Sequence, residues 1–346
     1  MRALVLDAVG VMSYRTDVPD PRVEKTTDAV VRVRRAGLCG SDLHPYEGRE
    51  DVRFGVVAGH EAVGEIVALG ADVASFGLGD NVIVPFTTSC GACPACRSGL
   101  TSRCRRGQLF GFGGPEAACP PTLQGGQAEF LRVPLAETTL LRIPEGLVDR
   151  DAVLLTDNLP TGWYAVERAQ VGAGQEVAVV GLGAVGLCAV AAALHKGGDV
   201  IGLDPVEERR GRARSLGASA LPADDAGVLA GRFAAVVDAS GTTSGQTLAF
   251  SLVRPGGTLS VIAVQTATQF AFTPIAAYDA NVTVRFGRAP VRAILDRLLA
   301  PIAAGELTVP GAVVVTDPKV PLKQGARTYA RFAARTGGIV KALFVP

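Results

Sequence analysis

Over the first 148 residues the apolar positions fall in short runs, Ala29–Val33, Gly64–Leu69 and Asn81–Val84, separated by Gly, Pro and Asp. Short apolar runs bounded by turn residues predict a β-rich region. Pro144-Glu145-Gly146 then leads into a helix expected near Asp151–Leu155. From Gln175 the period changes. EVAVVGLG reads as a strand, AVGLCAVAAALHKG as a helix, DVIGLD as a strand, EERRGRARSLG as a helix, and AAVVDASG and RPGGTLSVIAV as strands. Strands alternating with helices are the mark of parallel βαβ units. Beyond Pro290 the pattern predicts a helix over Pro290–Ala300, a short strand around Ala312–Val315, and a closing helix and strand in YARFAARTGGIVKALFV.

Val177 to Leu194 runs eighteen residues without a charge, long enough to be weighed as a membrane span. Gly181, Gly183 and Gly186 interrupt it, so a buried strand, tight turn and helix are expected instead. The opening MRALVLDAVGVMSYR lacks the basic head, long apolar core and small-residue cleavage site of a signal peptide. A soluble protein of the reducing cytoplasm is the expectation. The 346 residues suit two domains, because single cores stop growing at roughly 250–300 residues. With 34 basic and 33 acidic residues and no basic run, a nucleic-acid partner is disfavoured.

Gly181-Leu182-Gly183-Ala184-Val185-Gly186 is a G-x-G-x-x-G set between a predicted strand and a predicted helix. The first Gly allows the tight turn, the second lets backbone approach a pyrophosphate, and the third lets helix and sheet pack closely. The helix N-terminus supplies free N–H groups to the phosphates. Asp204 ends the next strand, where a carboxylate can accept from the adenosine ribose hydroxyls and repel a 2′-phosphate. Arg209 and Arg210 offer charge for such a phosphate but suit a solvated helix face better, so NAD is favoured over NADP, with Arg209 kept among the cofactor-binding candidates.

Four of the seven cysteines fall in CGACPACRSGLTSRC, as Cys90, Cys93, Cys96 and Cys104. In a reducing compartment such spacing favours metal over disulfide. Four thiolates close a tetrahedral zinc shell and leave no place for substrate, which makes the cage structural; an iron–sulfur cluster is the alternative. Chemistry then needs another metal. Cys39 in GLCGSDLH and His60 in GHEAVGEIV are suitable zinc ligands, and Asp42 can orient His60 through its other ring nitrogen. The third ligand stays open between Glu61 and a distant carboxylate. His195, near a helix C-terminus, reads as structural.

Taken together, Cys39-Gly40-Ser41-Asp42-Leu43-His44, Gly59-His60-Glu61, the four-cysteine lobe, TDNLPTG (156–162) and the glycine turn resemble the zinc-dependent medium-chain alcohol dehydrogenases, along essentially the whole chain. The resemblance implies an α/β protein: a GroES-like β-rich catalytic domain over 1–148 and 290–346, and a Rossmann doubly wound parallel-sheet NAD domain over 149–289. It puts Asp157 third on the catalytic zinc beside Cys39 and His60, as in bacterial alcohol and formaldehyde dehydrogenases; animal-type members use cysteine there. Gly125-Gly126-Gln127-Ala128-Glu129-Phe130 also resembles that branch.

By the same resemblance, zinc lowers the pKa of a substrate alcohol, and hydride passes to the nicotinamide. Ser41 relays the proton toward His44, which is expected to titrate near 6.5. Glu61 becomes a near-metal carboxylate, Thr161 packs beside the nicotinamide, and Phe86 narrows the substrate channel. Two positions depart from the family pattern. Gly40 stands where some relatives have an arginine on the pyrophosphate, and Trp163-Tyr164 where many have an aromatic followed by histidine. The expected protein is a homodimeric or homotetrameric NAD-dependent zinc alcohol dehydrogenase acting on a small alcohol or aldehyde. Polyol, threonine and glutathione-independent formaldehyde dehydrogenases share these motifs, and a non-catalytic NAD-binding protein is the reading from another class.

Overall fold

The computed structural model describes residues 1–111, 123–336 and 338–346. Two compact units form, one from Met1–Asp157 with Pro290–Pro346, the other from Asn158–Ala289.

In the first unit the ten-residue strand Ala29–Leu38 is the hub. It pairs antiparallel with Ala62–Leu69, Phe130–Val133 and Ala342–Val345. Its Val30, Val31 and Val33 are buried, while exposed Arg32 meets Glu65 across the strand pair at 2.9 Å, an arrangement that sorts one face to solvent. The full sheet runs Asp317–Pro321, Ala342–Val345, Ala29–Leu38, Ala62–Leu69, Asn81–Val84, Leu141–Arg142, with Phe130–Val133 also on the hub strand. A second sheet joins Val11–Arg15, Ala3–Ala8 and Val56–Val57. Leu4, Val31, Ile66, Phe110, Leu131, Tyr329 and Phe344 share one core. Register matters for the site: Ala342 lies opposite Leu38 and Leu343 opposite Gly37, so the C-terminal strand flanks the residues that lead into Cys39.

One expected strand is not a strand. Gly311–Val314 is a helical turn, and the strand follows at Asp317–Pro321. The β-branched run Val313–Val315 favours extended backbone. Here Pro310 caps the turn, its carbonyl accepting from Val313 and Val314 at 3.0 and 2.9 Å, and Val314 is fully buried. Burial and local hydrogen bonds outweigh a preference worth at most about 1 kcal/mol.

The second unit is one six-stranded parallel sheet in the order Ser219–Leu221, Asp199–Leu203, Glu176–Val180, Phe233–Asp238, Val253–Val261, Thr283–Phe286. Counted along the chain, that order is 3-2-1-4-5-6, which reverses between Glu176–Val180 and Phe233–Asp238 and opens a ligand crevice at the strands' C-terminal ends. Helix Asn158–Arg168 packs tightly on helix Ala184–His195, because a side chain at Gly162 would overlap the backbone N of Ala189, 2.5 Å away. Among the described residues no helix is long and apolar enough to cross a membrane.

Candidate metal centres and cofactor cradle

The hub strand ends at Leu38, and the chain turns through Cys39 into the short 3-10 helix Gly40–Asp42. His60 and Glu61 stand in the turn just before the partner strand Ala62–Leu69. Asp157 follows helix Asp149–Leu154, where the carbonyl of Thr156 accepts from the N–H of Phe86 at 3.2 Å. Three segments distant in sequence thus converge. The ligand atoms of Cys39, His60, Glu61 and Asp157 lie within 4.8 Å of one another, and all four residues are buried. His60 Nε2 is 3.4 Å and Cys39 Sγ 3.6 Å from the same Asp157 oxygen.

Asp42 locks this group from behind. Its Oδ1 lies 2.9 Å from His60 Nδ1, and its Oδ2 accepts the Cys39 N–H at 2.9 Å. Holding Nδ1 leaves Nε2 facing the cluster, as metal-ligating imidazoles require. Burial pushes the Cys39 thiol up. Burial also works against charging His60, yet Asp42 and Asp157 hold its pKa well above the usual value. A thiol and an imidazole crowded by carboxylates are a donor set short of a cation, and one thiolate, one imidazole and carboxylate oxygens suit zinc. Glu61 faces two ways: its Oε1 lies 3.9 Å from His60 Nε2, while its Oε2 accepts from the ammonium of Lys341, a residue the motif reading passes over. Its one sequence signal is a charge inside the apolar run IVKALFV.

Ser41 and His44 follow on the same turn. His44 is buried, and its Nδ1 has no hydrogen-bond partner. Burial and the nearby Arg49 lower its pKa to about 4, so the expected titration near 6.5 is corrected: the imidazole is neutral at pH 7. Phe86, 6% exposed, sets its ring edge-on to His60 at 6.3 Å.

The second cluster joins Cys90, Cys93, Cys96 and Cys104, again with ligand atoms within 4.8 Å. Cys93 Sγ lies 3.6 Å from Cys96 Sγ and 3.9 Å from Cys104 Sγ. Four sulfurs around one zinc sit about 3.8 Å apart, given Zn–S near 2.3 Å. Backbone N–H groups of Cys90 and Arg106 point at Cys104 Sγ. Backbone N–H donors bring Cys93 down to about 6, while burial and neighbouring thiols push Cys96 up to about 12. Without a cation the four resist ionising together; with one they form a closed shell. Six cysteines, these four with Cys39 and Cys188, are free of disulfides.

In the second unit Gly181 has φ +87°, and a Cβ there would press on Ser240. A Cβ at Gly186 would collide with the Gly181 carbonyl, whereas one at Gly183 meets only open space. That open cradle at the N-cap of helix Ala184–His195 fits a pyrophosphate. Asp204 is 2% exposed. Its Oδ2 accepts from Leu182 at 2.8 Å and its Oδ1 from Val206 at 2.9 Å, which ties the acid to the glycine turn. Arg209 reaches Asp204 at 3.6 Å. Arg210 is not the solvated arginine expected: it is buried, donates to the Asp204 carbonyl at 2.7 Å and pairs with Glu207. Thr161 is buried on helix Asn158–Arg168, and His195 ends its helix 5.5 Å from the Trp163 ring.

A parallel sheet with a glycine turn, in one chain with a β-rich unit that bears a four-cysteine cluster and a cysteine–histidine–carboxylate cluster, defines a zinc-dependent nicotinamide oxidoreductase. The family profiles agree: an alcohol dehydrogenase GroES-like domain matches residues 25–145 and a zinc-binding dehydrogenase domain residues 184–299. A probable zinc-binding alcohol dehydrogenase of Mycobacterium tuberculosis is 40% identical over 97% of this chain and 86% of its own. The solved alcohol dehydrogenase of Thermus sp. ATN1 superposes with a TM-score of 0.89 at 35% identity, covering 100% and 99% of the two chains. A glutathione-independent formaldehyde dehydrogenase of Pseudomonas aeruginosa is 37% identical over 55% of this chain and 49% of its own. The chain belongs to the zinc-dependent medium-chain alcohol dehydrogenase family, enzymes that interconvert alcohols and carbonyl compounds with zinc and a nicotinamide cofactor.

Proposed function

We propose that Cys39, His60 and Asp157 hold the catalytic zinc, that Cys90, Cys93, Cys96 and Cys104 hold a structural zinc, and that the enzyme interconverts a small alcohol and its aldehyde or ketone with NAD. The observation that carries the reading is the convergence of one thiol, one imidazole and two carboxylates, all buried, within 4.8 Å. Zinc bound there supplies Lewis acidity toward the substrate oxygen. Asp42 fixes the His60 tautomer and ring. Lys341 engages one Glu61 oxygen; with Cys39, His60 and Asp157 as the three protein ligands, one position is left for substrate. Ser41 can accept a proton from substrate while donating its own. His44, neutral at pH 7, passes a proton by taking it on one ring nitrogen and releasing it from the other. Phe86 beside His60 narrows the room for substrate.

The open cradle at Gly183 receives the pyrophosphate, and Asp204 accepts from the adenosine ribose. Thr161 is assigned to the nicotinamide end. The catalytic role is assigned to Met1–Asp157 with Pro290–Pro346, which includes Asp157 nine residues past the boundary expected at 148, and NAD binding to Asn158–Ala289. Thiol cages that must stay reduced suit the cytoplasm. A homo-oligomer is supported by the edge strand Thr283–Phe286, whose Phe286 ring lies 5.5 Å from Phe270, 61% exposed; sheet edges with exposed apolar neighbours invite a second copy.

The test is NADH formation on a panel of primary, secondary, aromatic and polyol alcohols plus formaldehyde, with NAD and NADP in turn. Turnover with NAD that is abolished in Cys39→Ala, while NAD still binds, supports the assignment. Unimpaired turnover in that variant removes it.

A further inference from the structure

Two of the proposed zinc ligands follow separate segments, Cys39 after the strand end Gly37-Leu38 and His60 after the turn at Gly59, and one buried side chain touches both. Gln127 is fully buried. Its Nε2 donates to the Gly37 carbonyl at 2.9 Å, and its Oε1 accepts from the Tyr329 hydroxyl at 2.8 Å. Gly59 has φ +90°, and a Cβ there would collide with Gln127 Cγ, so the turn into His60 lies directly against the amide. The Gln127 N–H also donates to the Ala58 carbonyl at 2.9 Å, and Gly126 N–H to that of Gly59 at 2.8 Å.

Tyr329 gives this amide its direction. The residue is fully buried on helix Gly325–Ala333, its ring parallel to Phe344 at 6.4 Å and 5.4 Å from Tyr46. With the phenol donating to Oε1, the NH2 group faces Gly37. Reversing the amide would set its oxygen against the Gly37 carbonyl oxygen, two acceptors face to face. The amide acts on the backbone that leads to the ligands, and the phenol acts on the amide.

We propose that Gln127, oriented by Tyr329, is a positioning residue for the catalytic metal, fixing the Cys39 turn against the His60 turn at the spacing a tetrahedral ion needs. The inference rests on the assignment of Cys39 and His60 as ligands. Metal sites tolerate ligand errors of only about 0.2 Å, and hydrogen-bonded supports behind ligands change metal affinity by roughly 10–100-fold. A hydrogen-bonded tie between two ligand-bearing turns is therefore a direct means of control.

The experiment uses the two-zinc enzyme with Gln127→Met, which keeps the side-chain volume, Tyr329→Phe, which removes one hydroxyl and keeps the ring, and the double variant. Two readouts apply: zinc release to excess chelator, and the visible spectrum after cobalt replaces the catalytic zinc. Each single variant is expected to release one zinc about 10–100-fold faster than wild type, to shift the cobalt bands, and to keep the other zinc at the wild-type rate. The double variant should be no worse than the worse single, because both act through one hydrogen-bonded chain. Wild-type release and wild-type cobalt spectra in both singles, with only a lower melting temperature, would reduce Gln127 to core packing and overturn the proposal. A wild-type enzyme holding one zinc that survives Cys39→Ala would instead sink the ligand assignment, and this inference with it.

Discussion

Lys341 and Glu61, 280 positions apart in the chain, form an ion pair with both side chains fully buried. Gly37 makes the room for it, since any Cβ there would collide with the Glu61 carboxylate. A buried pair contributes little net stability against well-packed apolar residues, but removing one partner strands the other charge at about 3–5 kcal/mol. Lys341→Met is accordingly expected to lose about that much in denaturant unfolding of the zinc-loaded enzyme. The double variant Glu61→Gln with Lys341→Met should recover most of the loss. A Lys341→Met enzyme as stable as wild type would show that the pair is not held in the interior.

What the sequence made legible and what it hid differ by the range of the interaction. Cys39, His60 and the four cysteines of the cage lie in stretches whose spacing is itself the chemistry, and the turn Gly181–Gly186 carries its own strand and helix. Asp157 needed family resemblance, because nothing local distinguishes it from any buried carboxylate. Lys341, Gln127 and Tyr329 act across 90 positions or more, so no local pattern announces them. Arg210 turns inward on a helix rich in charge, where composition gives no sign of which arginine will do so. The helical turn Gly311–Val314 was hidden for a similar reason: its cause is burial, not composition.

Asp42 grips His60 at Nδ1 and the Cys39 N–H at once. Asp42→Ala should therefore weaken catalytic-site zinc by about 10–100-fold, measured by competition with a chelator. The cage zinc should be unaffected. Equal loss from both sites would point to general unfolding instead of a lost orienting contact.

The cage predicts a different phenotype. Cys93→Ser should leave one zinc per chain and lower the melting temperature, with NAD affinity unchanged. Metal binding contributes on the order of 10 kcal/mol where a structural zinc alone holds a module together, so loss of order should reach the whole lobe, residues 90–104. Retention of two zincs would remove Cys93 from the shell.

Asp204 links cofactor choice to the glycine turn through Leu182. Asp204→Gly removes a carboxylate that repels a 2′-phosphate and leaves Arg209 without its partner. The ratio of kcat/KM for NAD to that for NADP should fall by about 10–100-fold, the equivalent of one charge-assisted hydrogen bond. Part of the fall should come from weaker NAD binding, because the turn loses its tie. An unchanged ratio would take Asp204 out of cofactor recognition.

His44 predicts how stability depends on pH. Burial comes first among the causes and Arg49 second in bringing its pKa from 6.5 to about 4; Glu47 and Asp42 pull the other way without prevailing. Above pH 6.5 the imidazole is neutral in folded and unfolded chains alike and contributes nothing to the pH slope. Below 6.5 the unfolded chain takes up a proton that the folded one refuses, so stability falls as pH drops, by about 1.4 kcal/mol per unit at most, until the folded imidazole also protonates near pH 4. The whole effect is at most about 3 kcal/mol. Carboxylates titrate over the same range, so the quantity to measure is the difference between wild type and His44→Gln in chemical denaturation from pH 7.5 to 4. That difference should be constant above pH 6.5 and then move in favour of the variant as the pH falls. A flat difference throughout would mean that His44 titrates alike in both states and that its burial does not persist in solution.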